Sequence, residues 1–224
     1  MKNKTLWTDT EGKPIQAHGG MILQHKGIYY WYGENKDTET VNRHVDFIGI
    51  SCYSSEDLEN WRNEGIVLSP VVNNPAHMLY TKNICERPRV LYNKSTKQFV
   101  MYTHADTADY YYAGVNVAVA ASPTGPFVWL KSFQPNRQDS RDMTLFQDLD
   151  GSAWLIHSAN YNKTMNIARL SDDYLDVTGS YISIFQDQER EAPAIMYSHN
   201  RYYMITSGCS GWEPNPSLYG ICDH

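Results

Sequence analysis

A chain of 224 residues, 42% hydrophobic and 20% charged, has the composition of a globular domain and the length to bury a real core. A formal net charge of −6 with no basic run longer than a pair argues against nucleic acid or an anionic membrane surface as partner. No stretch reaches the roughly 18 apolar residues that a membrane-spanning helix needs.

The N-terminus runs from Met1-Lys-Asn-Lys4 into Leu6, Trp7 and a polar turn without a secretory leader. A secreted or periplasmic chain whose leader has been removed, or a cytoplasmic chain, is therefore expected. Four segments then follow one plan, an apolar strand, a turn and an aromatic strand. They are Gly20–Gly33, Pro88–Tyr102, Thr144–His157 and Ala194–Thr206. Alternating residues around turns such as Lys26-Gly27 and Asp150-Gly151 mark each as a hairpin. Three are followed by a further strand pair, begun by Ile48–Tyr53, Val115–Ala120 and Met165–Leu170. About four strands per unit is the blade of a β-propeller. The equivalent positions Val90, Leu145 and Ile195 lie 55 and 50 residues apart, and no 3.6-residue apolar period competes with this reading. The fold class is all-β. Three blades end by about residue 184, a fourth starts near Glu191, and the residues up to His224 reach its third strand. A closed five-bladed ring needs about 260 residues or more, so an incomplete propeller in a single domain, lacking the end of blade four and blade five, is expected.

Composition adds that 17 Tyr and 6 Trp suit both strands and the packing of flat rings on sugar C–H faces. The scattered Cys52, Cys85, Cys209 and Cys222 have no metal-like spacing and read as buried free thiols.

The chemistry lies in three carboxylates at one repeat position. Glu86 stands in Glu86-Arg-Pro88, Asp142 in Ser140-Arg-Asp-Met-Thr144 and Glu191 in Arg190-Glu-Ala-Pro193. Each falls just before the innermost strand of its blade, and they are 56 and 49 residues apart. On a propeller this predicts that they converge on one axial cavity, with carboxyl groups within about 10 Å, the scale of paired glycosidase carboxylates. The structural alternative is a shared turn in which each caps backbone amides. A glycosidase needs one carboxylic acid to protonate the leaving oxygen and a neighbouring carboxylate to keep that acid protonated by like-charge repulsion.

The repeats and these motifs resemble glycoside hydrolase family 43, an inverting five-bladed propeller family. The match is closer to its exo-β-1,3-galactanase-like branch. The resemblance runs through Asp9–Gly20, Tyr29–Glu34, Ser140–Phe146, Arg190–Ala194 and Thr206–Trp212, and so covers nearly the whole chain. It implies Glu191 as general acid, Asp142 as modulator of its pKa, and Glu86 as a sugar-binding carboxylate of the −1 pocket. Glu34, Tyr111, Asn162, Thr206 and Trp212 fall near further substrate-contacting positions. Typical members carry an aspartate base before the first strand of blade one, where this chain has Gln16-Ala-His-Gly-Gly20. The galactanase-like branch shares that absence and uses a glutamine from a later blade, a position beyond residue 224. Gln16 and His18 are thus candidates for substrate contact. His18 also reads as a base, a metal ligand or a structural turn histidine.

The resulting expectation is an inverting, exo-acting hydrolase releasing galactose from β-1,3-galactan or arabinogalactan. The partner would be a plant-type polysaccharide or oligosaccharide, without nucleic acid or membrane. Some related propellers hold a cation in the central channel, but no cofactor or metal is predicted here. The alternatives are an α-L-arabinofuranosidase or β-xylosidase of the same family, and a catalytically inactive carbohydrate-binding propeller fragment.

Overall fold

The computed structural model describes residues 6–41, 44–211 and 213–223. Its architecture is all-β, an incomplete five-bladed β-propeller with three four-stranded blades and a fourth of three strands. Blade one holds β1 (His18–His25) and β2 (Ile28–Glu34), then a small hairpin, β3 (Thr40–Val41) and β4 (His44–Val45). It closes with β5 (Ile50–Ser55) and β6 (Arg62–Leu68), and its sheet order is β1-β2-β5-β6. Blade two is β7 (Ile84–Asn93), β8 (Gln98–Asp106), β9 (Gly114–Ala120) and β10 (Val128–Phe133). Blade three is β11 (Met143–Gln147), β12 (Ala153–Ala159), β13 (Thr164–Leu170) and β14 (Val177–Ile184). Blade four is β15 (Arg190–Ser198), β16 (Arg201–Gly208) and β17 (Leu218–Cys222). Within each blade the strands pair in chain order, β2 passing over the small hairpin to pair with β5. The hairpin β3–β4 has no counterpart in the repeat read from the sequence. Apart from a single 3₁₀ turn at Pro135–Arg137 there is no helix among the described residues, so none is long and apolar enough to cross a membrane.

Local chemistry explains the hairpins. His25 pairs with Ile28 across a two-residue turn in which Lys26 (φ 51°) and Gly27 (φ 82°) are both left-handed, the twist that fits the flanking strands. Middle strands such as β5 and β9 are buried on both faces, whereas the outermost strand of blade three, β14, is largely exposed. A middle strand therefore reads as a nearly continuous small-and-apolar run, and an outer strand as a polar one.

The chain forms two compact units. One runs up to Tyr111 and includes Asn116–Ser132; the other holds Tyr112–Val115 and Phe133 onward. In the first unit, blades one and two bury Tyr32, Ile50 and Cys52 against Val90, Met101 and Ala118. The fully buried Tyr32 spends its hydroxyl on Pro123 O at 2.6 Å, which removes the cost of desolvating it. In the second unit, Ile156 and Met165 of blade three meet Met204 of blade four, flanked by Phe146 and Ile195. Close-packed apolar faces of this kind supply most of the stabilisation, roughly 25 cal/mol for each Å² removed from water.

All four cysteines are free. Cys52 and Cys85 are buried as expected, but Cys209 and Cys222 are exposed. The reason is position: Cys209 follows β16 in a turn, and Cys222 closes β17, which pairs only with β16 among the described strands.

Candidate active site

The first strands of blades one, two and four share a local distortion. Pairing slips between His18 and Met21, between Glu86 and Arg89, and between Glu191 and Ala194. Each slip contains one left-handed residue: Gly19 (φ 57°), Arg87 (φ 53°) or Ala192 (φ 50°). In blades two and four the next residue is a proline, Pro88 or Pro193. Proline has no N–H for the ladder and is tolerated in a sheet at such bulges. The consequence is functional: a bulge re-aims the side chain beside it. Glu86 and Glu191 lie inside β7 and β15, each at the start of its bulge, not ahead of the strands as the sequence suggested. Asp142 does precede β11.

In the second unit Asp142 meets the backbone next to Glu191. Asp142 Oδ2 accepts the backbone N–H of Ala192 at 3.0 Å, which fixes its carboxylate one residue from Glu191. The segment before Glu191 is held by Arg190, a buried residue that the sequence reading quoted in its motif but gave no role. Its Nε donates to Thr206 Oγ1 (3.0 Å) and one terminal nitrogen to Thr206 O (2.9 Å) and Pro216 O (3.4 Å). Its backbone N–H donates to Asn162 O at 3.1 Å, and its carbonyl accepts Ser158 Oγ at 3.0 Å. Thr206 is therefore buried with its hydroxyl engaged by Arg190. Asn162 keeps a buried Oδ1 with no hydrogen-bond partner. The exposed Cys209 thiol interacts with Asn162 and Glu191 and donates to Glu189 O at 3.2 Å; burial, then the charge of Glu191, pushes it up from its ordinary pKa. Trp212 lies outside the described residues.

In the first unit Glu34 and Glu86 interact across a second polar cluster. Glu34 closes β2, is 6% exposed, and pairs with Lys36 Nζ at 2.6 Å; its Oε1 accepts the backbone N–H of Arg87 at 3.3 Å. Burial holds the Glu34 carboxyl above the usual carboxylate range, Lys36 opposes this, and the charge of Glu86 adds to it. Gly19 lies beside it in a left-handed conformation, and a Cβ there would stand 2.9 Å from Glu34 Oε1, so that a side chain would have to displace that oxygen. His18 pairs with Glu34 in the strand register; partial burial and the Lys36 charge lower its pKa, so the ring is neutral at pH 7. Gln16 gives its backbone N–H to Tyr53 Oη at 3.0 Å and keeps a buried, unpartnered Oε1. The contact to Glu86 is made by Tyr110, whose hydroxyl donates to Glu86 Oε1 at 3.0 Å. Tyr111, the position suggested by motif, is 86% exposed. An alternation rule cannot choose between two adjacent tyrosines in a turn, and the left-handed Tyr110 (φ 57°) decides it.

A groove of about 580 Å³ beside Tyr30, Arg62, Glu64 and Thr124 holds none of these residues. Its polar groups bond one another, Ser54 Oγ to Glu64 Oε1 at 2.5 Å and Arg62 Nε to the same oxygen at 2.8 Å.

Comparison with known proteins shows the family. A search of curated proteins gives no match. Among solved structures, a family 43 β-1,3-galactosidase with galactodeoxynojirimycin is 38% identical over the whole of this chain and 78% of its own, with a TM-score of 0.94. The exo-β-1,3-galactanase of Phanerochaete chrysosporium with galactose is 37% identical with a TM-score of 0.91; this chain covers 51% of it. That of Clostridium thermocellum is 38% identical with a TM-score of 0.91, and 49% of it is covered. The chain thus spans about half the length of two of these relatives and about three quarters of the other. The profile of glycosyl hydrolases family 43 matches residues 13–219. On that match and these identities, the chain belongs to glycosyl hydrolase family 43.

Proposed function

We propose that the chain is the catalytic propeller of an inverting, exo-acting hydrolase that releases galactose from β-1,3-linked galactan or its oligosaccharides. The observation that carries this is the pairing of Asp142 with the Ala192 amide beside Glu191. It holds the Asp142 carboxylate at the bulge of blade four, one residue from Glu191, which suits a modulator set beside an acid catalyst. Substrate identity follows one relative, the Phanerochaete chrysosporium enzyme, solved with galactose and, as a variant, with β-1,3-galactotriose.

In this reading Glu191 gives its proton to the glycosidic oxygen as the C1–O bond breaks, and water attacks C1 from the opposite face, inverting the anomeric carbon; the water's surplus proton passes to solvent, from which Glu191 is reprotonated. Asp142 keeps the Glu191 segment in place through the Ala192 amide. Within the first unit, Glu86, fixed by Tyr110, and Glu34 are carboxylates suited to sugar hydroxyls. Within the second unit, Asn162 keeps an unspent side-chain oxygen near Cys209, and a buried unpaired acceptor is costly until a donor meets it.

The test is Glu191→Gln in the full-length protein, assayed for galactose release from β-1,3-galactan. Without a proton to donate, turnover falls by roughly 10²–10⁴-fold, while galactotriose binding by calorimetry stays near wild type. An aryl β-galactoside with a good leaving group needs little acid assistance and recovers much of the rate. Wild-type turnover of galactan by Glu191→Gln would overturn the assignment of the acid.

A further inference from the structure

A buried pair of ionisable residues in blade two, His104 and Asp106, has no role in the scheme above. They alternate along β8, so both side chains leave the same face of the strand. The strand register sets His104 directly opposite Glu86, and Asp106 opposite Ile84. His104 is 4% exposed and Asp106 is fully buried, with His104 Nε2 3.4 Å from Asp106 Oδ2. Burying a carboxylate costs several kcal/mol unless it is compensated, and an apolar pair would fill the space without that cost.

The turn after β8 links this pair to the sugar-side residues. Asp106 Oδ1 accepts the Thr107 N–H at 2.9 Å, and Thr107 Oγ1 donates to Asp109 Oδ1 at 2.6 Å. Thr107 O then accepts the Tyr110 N–H at 2.8 Å. The left-handed Tyr110 brings its ring back over the sheet, near-parallel to the His104 ring at 18° with centroids 6.4 Å apart. This is an offset stack at the outer limit of the usual range. From there the Tyr110 hydroxyl reaches Glu86 Oε1. Asp106 therefore lies at both ends of one arrangement, with Oδ2 3.4 Å from the ring of His104 and Oδ1 on the first amide of the turn that carries Tyr110.

We propose that His104 and Asp106 are positioning residues for sugar binding: Asp106 orients the His104 ring and the turn, His104 backs Tyr110, and Tyr110 occupies Glu86 Oε1 so that Oε2 is presented to a galactose hydroxyl. The inference rests on the reading of Glu86 as a sugar-binding carboxylate. Neither His104 nor Asp106 touches substrate in this scheme. Their effect passes through Tyr110, and it falls on binding of the ground-state sugar, hence on KM and not on kcat.

The experiment is steady-state hydrolysis of β-1,3-galactotriose by the full-length protein carrying His104→Gln, Asp106→Asn, Tyr110→Phe or Glu86→Ala, and by Tyr110→Phe combined with each of the first two. Losing a hydrogen bond to a charged group corresponds to about tenfold or more in binding. Tyr110→Phe is thus expected to raise KM about tenfold. His104→Gln and Asp106→Asn are expected to raise it by a similar factor, with kcat within about twofold. In the Tyr110→Phe background neither should add a further rise, because the group they position has gone. A purely structural pair would instead lower the unfolding midpoint and act equally in both backgrounds, and that additivity would overturn the inference. An unchanged KM in folded Asp106→Asn would do the same, and this near-isosteric variant decides the matter if His104→Gln does not fold. The reading of the site fails separately, if Glu86→Ala leaves KM intact.

Discussion

His157 offers a quantitative check on the interior of blade three. It lies mid-strand in β12, paired with Met143 on one side and Asn166 on the other, and is fully buried. Burial lowers its pKa from 6.5 to about 4; the nearby Ser158 and Asp139 push the other way without restoring it. The unfolded chain therefore binds a proton near pH 6.5 that the folded chain refuses until about pH 4. Stability is whole above pH 6.5 and is lost as pH falls toward 4, because the unfolded state holds more protons in that window. At about 1.4 kcal/mol per pH unit, the loss from this one residue is about 2 kcal/mol at pH 5 and about 3 kcal/mol at pH 4. Met143 follows Asp142 directly, so acid loosening of this sheet would reach the proposed pKa modulator of the site. The measurement is urea unfolding of wild type and His157→Gln at pH 7, 6, 5 and 4.5. Glutamine is polar and roughly fills the site but cannot titrate. The variant is expected to be less stable at pH 7 yet to show a shallower fall with acid, the difference in slope approaching one proton near pH 5. An imidazole NMR titration of His157 should give its midpoint near 4 directly. Parallel pH dependences in the two proteins, or a midpoint near 6.5, would refute the reasoning.

Two further outcomes follow from single contacts. Gly19→Ala should destabilise the protein by about 1–3 kcal/mol, since it forces a left-handed alanine and sets a methyl 2.9 Å from Glu34 Oε1; the readouts are the unfolding midpoint and a raised KM, and a neutral variant would show that Glu34 is free to move aside. A thiol reagent at pH 8 should label Cys222 first, Cys209 more slowly because its thiol is pushed up, and Cys52 and Cys85 only when the protein unfolds, because burial excludes the reagent and pushes the Cys85 thiol up to about 12; mass spectrometry of the labelled peptides decides it.

The blades were legible in the sequence because hairpin chemistry is local. Lys26-Gly27 and the alternation around it fix β1 and β2 without reference to anything distant, and the same logic recurs at β11–β12 and β15–β16. The hairpin β3–β4 was not legible, since each strand is two residues long and carries no period. In the same way, Arg190 carries a conspicuous charge beside a candidate acid, but that its partners are Thr206 and Pro216 depends on how β16 and the segment before β17 return to it. Tyr110 and Tyr111 show the limit most sharply: identical residues, adjacent in sequence, one bonded to Glu86 and one at the surface. Composition cannot separate them because the choice rests on one backbone angle.

The repeat of Glu-X-Pro in blades two and four is where the two levels meet. From sequence, Glu86-Arg-Pro88 and Glu191-Ala-Pro193 mark a recurring position and place the glutamates ahead of their strands. In the structure the strand continues through the motif with a slipped register, and the slip is where the sheet tolerates a proline. The proline gives up a ladder hydrogen bond, the preceding residue turns left-handed, and the glutamate at the mouth of the bulge is re-aimed. Blade one reaches the same distortion with Gly19 and no carboxylate, so the bulge belongs to the blade and the acid is placed on it. Blade three has neither proline nor slip, and Asp142 answers the bulge of blade four by accepting the Ala192 amide. A carboxylate set built this way needs few dedicated contacts, because a backbone irregularity repeated with the blade does the aiming.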